Sequence, residues 1–264
     1  MRSEAVPETA VPPSLAVVAP AVEARIDALL AGEAARWGVV DPELIPPIEA
    51  LRHFVLDGGK RLRPAFCHWA YVGAGGGATD PVVIDAGAAL ELLHAFALLH
   101  DDVMDGSSLR RGRPTVHVDF AARHGAAGWL GEARRFGEGV AILVGDLAFV
   151  YADLLMVGVP EPATAVFNEL RVELNIGQAL DLIGTAEARR DRPMARRIAT
   201  YKSGKYTIER PLHLGAALVG RLDELAEPLS AYGLPLGEAF QMRDDILGTF
   251  GDPAVTGKPV GEDL

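Results

Sequence analysis

Apolar residues recur along this chain at helical spacing from residue 22 onward. In "VEARIDALLAGEAARW", Val22, Ile26, Leu29 and Leu30 fall on one face and the charges on the other, which predicts an amphipathic helix. "PPIEALRHFVLDGG" repeats the pattern with Ile48, Leu51, Phe54 and Val55; it opens on prolines and stops at Gly58 and Gly59. "PAFCHWAYVGAGGGATD" predicts a short helix ending in a glycine-rich turn. From Pro81 to Asp105 the chain is apolar almost all round until its C-terminal end, the pattern of a helix in the middle of a bundle. Further helices are expected over "TVHVDFAARHG", residues 139–158, "ATAVFNELRVELNIGQALDLIGTA", "MARRIATYKSGKYTIERPLHLGAALVG" and "LPLGEAFQMRDDILGTFG". "GAAGWLGEARRFGEG" reads as a flexible surface connection, and residues 1–20, with prolines at 7, 12, 13 and 20, as a loose disordered tail. No strand-period segment and no fixed-period repeat stands out.

Composition narrows the fold class. Of 264 residues, 49% are hydrophobic but only 6% aromatic, and β-branched clusters are few, which favours an all-α protein with one domain over residues 21–264. A net charge of −11 argues against nonspecific nucleic-acid binding and leaves basic clusters to act on small anions. A single cysteine, Cys67, excludes an internal disulfide framework and suits the cytoplasm, and the acidic, proline-rich start lacks the layout of a secretory signal. The apolar run at 139–158 approaches membrane-span length. Asp146 and Asp153 inside it would each cost a few kcal/mol in lipid, so no membrane span is expected.

The candidate chemistry gathers at helix ends. In "LLHDDVMDGSSLRRGRP", Asp101 and Asp105 are four apart and share a face, with Asp102 beside them. Like charges at the negative end of the helix dipole repel unless a cation settles among them. Magnesium suits such a place because it takes oxygen ligands and is held by one or two carboxylates plus phosphate. Asp244 and Asp245 close a second apolar helix, with Asp252 following; two acidic helix ends facing across a cavity could clamp a polyphosphate through metal ions. Cations recur beside both: Lys60, Arg61 and Arg63 after the glycine pair, Arg110 and Arg111 beyond the first cluster, Lys202 and Lys205 in "YKSGKY", and Lys258. That recurrence points to two diphosphates, one bound through metal and one directly by Arg and Lys. Gln178, Asp181 and Gln241 place polar groups inside apolar helices, where either a hydrated cavity or helix-to-helix hydrogen bonds could satisfy them.

These stretches together resemble the trans-type polyprenyl (isoprenyl) diphosphate synthases. "GGKRLRP", "LLHDDVMD" with "LRRGRPT", "GQALDL", "YKSGKYT" and "FQMRDDILGTFGDPAVTGKPVGEDL" occur in that family's order from about residue 55 to the end. The resemblance implies an isoprenoid-synthase-type helix bundle around a central cavity, three Mg2+ ions, and a homodimer. It implies that an allylic diphosphate ionises and is attacked by isopentenyl diphosphate. It assigns Lys60, Arg63, His94 and Arg111 to isopentenyl diphosphate, and Arg110, Lys202, Ser203, Gln241 and Lys258 to the allylic diphosphate. Asp101, Asp105 and Asp244, supported by Asp102 and Asp245, fall to the metal; Asp101, Asp105, Lys202 and Asp244 are the expected catalytic set. Two departures stand out: Gly248 occupies the place of a third acid in the second motif, and the helices that follow in the family have no counterpart after Leu264, so the chain is expected to be a fragment. Phe96, roughly 7 to 8 Å along the helix axis before Asp101 and next to small Ala97, is the expected floor of the hydrocarbon tunnel. With an uninterrupted "DDVMD", this pattern looks like geranylgeranyl diphosphate synthases, giving a C20 product, with C15 farnesyl diphosphate as the alternative. A class I terpene cyclase and a noncatalytic partner subunit are the competing readings.

Overall fold

The computed structural model describes residues 12–187 and 192–250. Its order is α1 (Pro13–Ala16), α2 (Ala19–Gly38), a 3-10 turn (Pro42–Leu44), α3 (Ile45–Leu56), α4 (Leu62–Gly73) and α5 (Pro81–Met104). A two-residue hairpin, β1 (Leu109–Arg110) against β2 (Arg113–Pro114), leads into α6 (Val116–Ala127), α7 (Ala133–Leu155) and α8 (Glu161–Ala186). After the next described residue come α9 (Arg192–Ile198), a π-helical segment (Ala199–Glu209), α10 (Arg210–Leu218) and α11 (Leu222–Phe250). The all-α class expected from composition is what the chain adopts.

Helix α5 is the axis. Val83, Ala86, Leu90, Leu92, Leu93 and Leu99 are fully or almost fully buried, and the helix touches α2, α3, α4, α7 and α10. Each such leucine removed from water contributes about 1.5–3 kcal/mol, which explains why a helix with little amphipathic contrast sits at the centre rather than at the surface. By length and composition α5 could cross a membrane, but 61% of its most apolar window is buried inside the bundle. The helix predicted over 22–37 buries Val22, Ile26 and Leu30, and that over 46–56 buries Ile48, Leu51 and Val55, as their spacing requires.

Four expectations are corrected. Residues 13–16 and 19–20, read as loose tail, are helical, and Val18 is buried in the core cluster. Residues 133–139, read as a flexible connection, form the first turns of α7: Arg134 bonds Glu138 one turn on at 2.7 Å, and Gly137 lies so close to the α6 backbone that any side chain would collide with it. There glycine serves close packing, not freedom. The stretch 194–220, expected as one helix, widens to π geometry between α9 and α10. Helix α11 begins twelve residues before Leu234, carries Pro228 and Pro235 inside it, and runs on past Asp244 and Asp245 to Phe250.

Candidate active site

The C-terminal end of α5 carries the first acidic cluster, and its three carboxylates have different surroundings. Asp102 is 2% exposed and turned inward, where Arg110 Nε reaches both its oxygens at 2.9 Å and an Nη nitrogen reaches Oδ1 at 2.7 Å. Asp101 Oδ1 accepts from Gln178 Nε2 at 2.9 Å and faces Lys202 Nζ at 3.4 Å. Asp105, at the C-cap, has its carboxyl raised above the usual carboxylate range, first by burial and then by the charge of Asp101; Lys202 counters the shift. Lys202 also donates to Asp181 Oδ2 at 2.6 Å. Burial alone would lower its ammonium pKa, but Asp101, Asp181 and Asp105 together hold it above its ordinary value.

Lys202 reaches this place because α8 and the π-helical segment nearly touch. A Cβ on Gly177 would come within 2.6 Å of the Lys202 main-chain nitrogen, so "GQ" presents bare backbone beside "YKS" and lets Gln178 and Lys202 meet the same oxygen. Ser203 follows, half-buried. On the other side of this segment α11 crosses at Gly204, where a Cβ on Gly237 would meet the Gly204 Cα at 2.5 Å. One turn beyond Gly237, Gln241 donates to Asp245 at 2.6 Å, and Asp244 and Asp245 are exposed. None of the Asp101 and Asp105 contacts given above reaches Asp244. Lys258 and Asp252 lie outside the described residues. Lys205, grouped with the anion-binding cations in the sequence, instead pairs with Glu173 of α8, as does Arg210.

The hairpin divides the two arginines. Arg110 pairs with Arg113 in the ladder, so Arg111 and Gly112 form the connecting turn, with φ of 51° and 74°. Both values are positive, as a two-residue type I′ turn requires. Arg110 is thereby directed to Asp102, and Arg111 to the opposite side, where its Nη1 donates to the Asp57 carbonyl at 2.8 Å. There it joins the "GGKRLRP" turn. Lys60 is exposed; Arg63 lies 4.2 Å over the Tyr206 ring and donates to Thr207 Oγ1 at 2.9 Å. The Arg63 Nε is buried with no partner among the described residues. His94 Nδ1 is 3.1 Å from Tyr206 Oη. Burial, and then the charges of Arg63, Arg111, Arg110 and Arg61, hold its imidazole well below the ordinary value. Four guanidinium charges act on one neutral histidine, an arrangement suited to an anion.

An acidic cluster and a cationic cluster therefore lie on the two sides of one hairpin. Among the described residues no three His, Cys, Asp or Glu side chains form a metal-binding group, so an all-protein metal cage is not present. The donor chemistry does suit magnesium in its usual mode: Asp101 and Asp105 supply hard oxygens at the end of α5. Phe96 is half-buried and meets His100 edge-on at 4.7 Å and Phe149 at a tilt at 4.9 Å between ring centres; Ala97 beside it is half-buried. Asp181, Tyr206, Thr207 and Glu91 join the site without having been assigned to it from sequence. Asp181 carried a signal, as a carboxylate inside an apolar helix three residues after Gln178, and Tyr206 and Thr207 stand in the "YKSGKYT" stretch.

The polyprenyl synthetase family model matches residues 48–264. The chain is 34% identical over 221 residues to the geranylfarnesyl diphosphate synthase of Aeropyrum pernix, an alignment covering 80% of this chain and 64% of that one. It is 38% identical over 213 residues to a geranylgeranyl diphosphate synthase of Mycobacterium tuberculosis, covering 78% and 55%. The chain thus spans less than two thirds of the length of these relatives. Among solved structures, the geranylgeranyl pyrophosphate synthase of Corynebacterium glutamicum, crystallised with isoprenyl diphosphate and magnesium, superposes with a TM-score of 0.83 at 37% identity over 92% of this chain and 72% of that one. The match over residues 48–264 and these relatives show that the chain belongs to the polyprenyl synthetase family.

Proposed function

We propose that the chain is a trans-prenyltransferase that condenses isopentenyl diphosphate with an allylic diphosphate to give a longer all-trans product, C20 geranylgeranyl diphosphate. The observation that carries this reading is the hairpin that sends Arg110 to the acidic cluster and Arg111 to the cationic turn. One joint then organises a metal-diphosphate site and a direct diphosphate site, as a two-substrate condensation needs and a one-substrate cyclase does not.

Asp101, Asp105 and Asp244, with Asp102 and Asp245 in support, are the proposed holders of magnesium, three ions in all. When bound, the metal supplies charge that stabilises the departing diphosphate. Lys202, Arg110, Ser203, Gln241 and Lys258 orient the allylic diphosphate. Lys60, Arg63, His94 and Arg111 hold isopentenyl diphosphate, whose anion would favour the protonated imidazole of His94. The Arg63 Nε has a buried donor to offer such an anion.

The C20 assignment rests on Phe96, whose ring is backed by Phe149. In a Phe96→Ala variant the main product is expected to lengthen by at least one five-carbon unit, read by chromatography of the dephosphorylated alcohols. An unchanged distribution would remove Phe96 as the floor.

We place the chain in the cytoplasm, where buried Cys67, its thiol pushed up to about 12 by burial, stays unreactive. Its proposed partner is a second copy. Leu143, Val150 and Leu154 of α7 and Val172 and Ile176 of α8 are all at least half exposed, and a hollow of about 540 Å³ is lined by Phe149, Val172 and Ile176 together with Asn168, Arg171 and Asn175. Exposed apolar residues on two helices suit an interface, and a monomer mass by light scattering would contradict it.

A further inference from the structure

Arg61 is the cation of the "GGKRLRP" turn without a substrate role, and it is the most deeply buried, with 3% of its side chain exposed. Its guanidinium is fixed from three directions. Nε donates to Glu23 of α2 at 2.9 Å, Nη1 to Glu91 of α5 at 2.8 Å, and Nη2 to the Val55 carbonyl near the end of α3 at 2.7 Å. Its backbone is left-handed, with φ of 51°. Among the described residues only one other non-glycine shares that region, and it is Arg111, also at 51°.

The two lie on either side of the same turn. A Cβ on Gly59 would meet Arg61 Nη1 at 2.9 Å and Arg111 Nη2 at 3.8 Å, so the glycine pair threads between two guanidinium groups. Arg111 in turn donates to the carbonyls of Asp57 and Gly58. Unfavourable backbone conformations persist where the surroundings over-determine them, and they gather at ligand clamps. Here the over-determining element is the Arg61 fork, which ties the turn to α2, α3 and α5 at once.

We infer that Arg61 is a positioning residue: its buried fork holds the Asp57–Lys60 turn in the shape that lets Lys60, Arg63 and Arg111 converge on isopentenyl diphosphate. The inference rests on the function proposed above. Arg61 touches no substrate. Without its fork the turn relaxes and Arg111 loses its carbonyl acceptors, while the acidic cluster, held by Arg110, Gln178 and Lys202, keeps its own contacts.

Two variants test this. Arg61→Lys keeps the charge between Glu23 and Glu91 but loses the fork; Arg61→Gln combined with Glu91→Gln removes the buried charges as a pair. Each is titrated calorimetrically with isopentenyl diphosphate alone, and separately with unreactive farnesyl thiodiphosphate plus magnesium, alongside its melting temperature. The affinity for isopentenyl diphosphate is expected to fall about tenfold or more, with farnesyl thiodiphosphate binding within about twofold of the unaltered protein. Unchanged isopentenyl diphosphate affinity, parallel weakening of both ligands, or loss of the fold in both variants would overturn the inference. If the unaltered protein binds neither ligand, the functional reading itself falls, a result distinct from an unaltered protein that binds both and variants that match it.

Discussion

Asp101→Ala is expected to lower the elongation rate by about 10²–10³-fold or more while leaving the fold in place. Asp101 is where the acidic cluster, Gln178 and Lys202 meet: one of its oxygens accepts from Gln178 at 2.9 Å and faces Lys202 at 3.4 Å. Removing it takes away a proposed metal ligand and frees Gln178 and Lys202, of which Lys202 is proposed to orient the allylic diphosphate. Stability should change little, because two effects oppose. The Lys202 contact is lost, but so is the like charge that raises the Asp105 carboxyl at the end of α5. Steady-state elongation with isopentenyl diphosphate and an allylic primer, measured beside the circular dichroism melt, gives both quantities. An undiminished rate would refute the metal assignment.

The largest effect on stability is expected at Glu173, outside the reacting groups. Its carboxylate, on α8, accepts from Arg210 Nε at 2.6 Å and Nη2 at 2.7 Å and from Lys205, and the residue is 6% exposed. Glu173→Ala leaves two largely buried cations without their partner, at a cost of about 3–5 kcal/mol. Burial alone would raise the Glu173 carboxyl, but Arg210 and Lys205 outweigh it and hold the group below 4.5. Because the folded value is the depressed one, the stabilisation is complete above the unfolded value of 4.5 and is lost as pH falls through the folded value. Urea unfolding should therefore show the full deficit near neutrality and a smaller one in acid. A midpoint at neutral pH equal to that of the unaltered protein would contradict this account of how α8 is fastened to the segment carrying Lys202.

What could be read from sequence, and what could not, divides along physical lines. Helical periodicity located α2 and α3, because burying one face of a helix leaves its spacing in the chain itself, and a long stretch apolar almost all round located α5. The order of charged motifs pointed to the family and to the two ends of the site. The partners of those charges were not legible. Lys60, Arg61 and Arg63 look alike in "GGKRLRP", yet Arg61 turns inward to Glu91, thirty positions away, while Arg63 turns to Tyr206 and Thr207. Lys202 and Lys205 likewise part, one to Asp181 and the other to Glu173, because the π-helical segment places them toward different oxygens of α8. The Arg110–Arg113 hairpin has no strand pattern to announce it; only the glycine after Arg111 hints at a turn. Residues 133–139 misled for a similar reason, since a glycine that permits close packing and a glycine that permits motion are the same letter.

The claim that two diphosphate sites meet at one hairpin is tested most directly by diphosphate release from an allylic substrate with and without isopentenyl diphosphate. With magnesium and farnesyl diphosphate, the account predicts that release depends on isopentenyl diphosphate and is matched mole for mole by a C20 product. Release at the same rate without isopentenyl diphosphate, accompanied by a hydrocarbon or alcohol product, would contradict it and point to a cyclase.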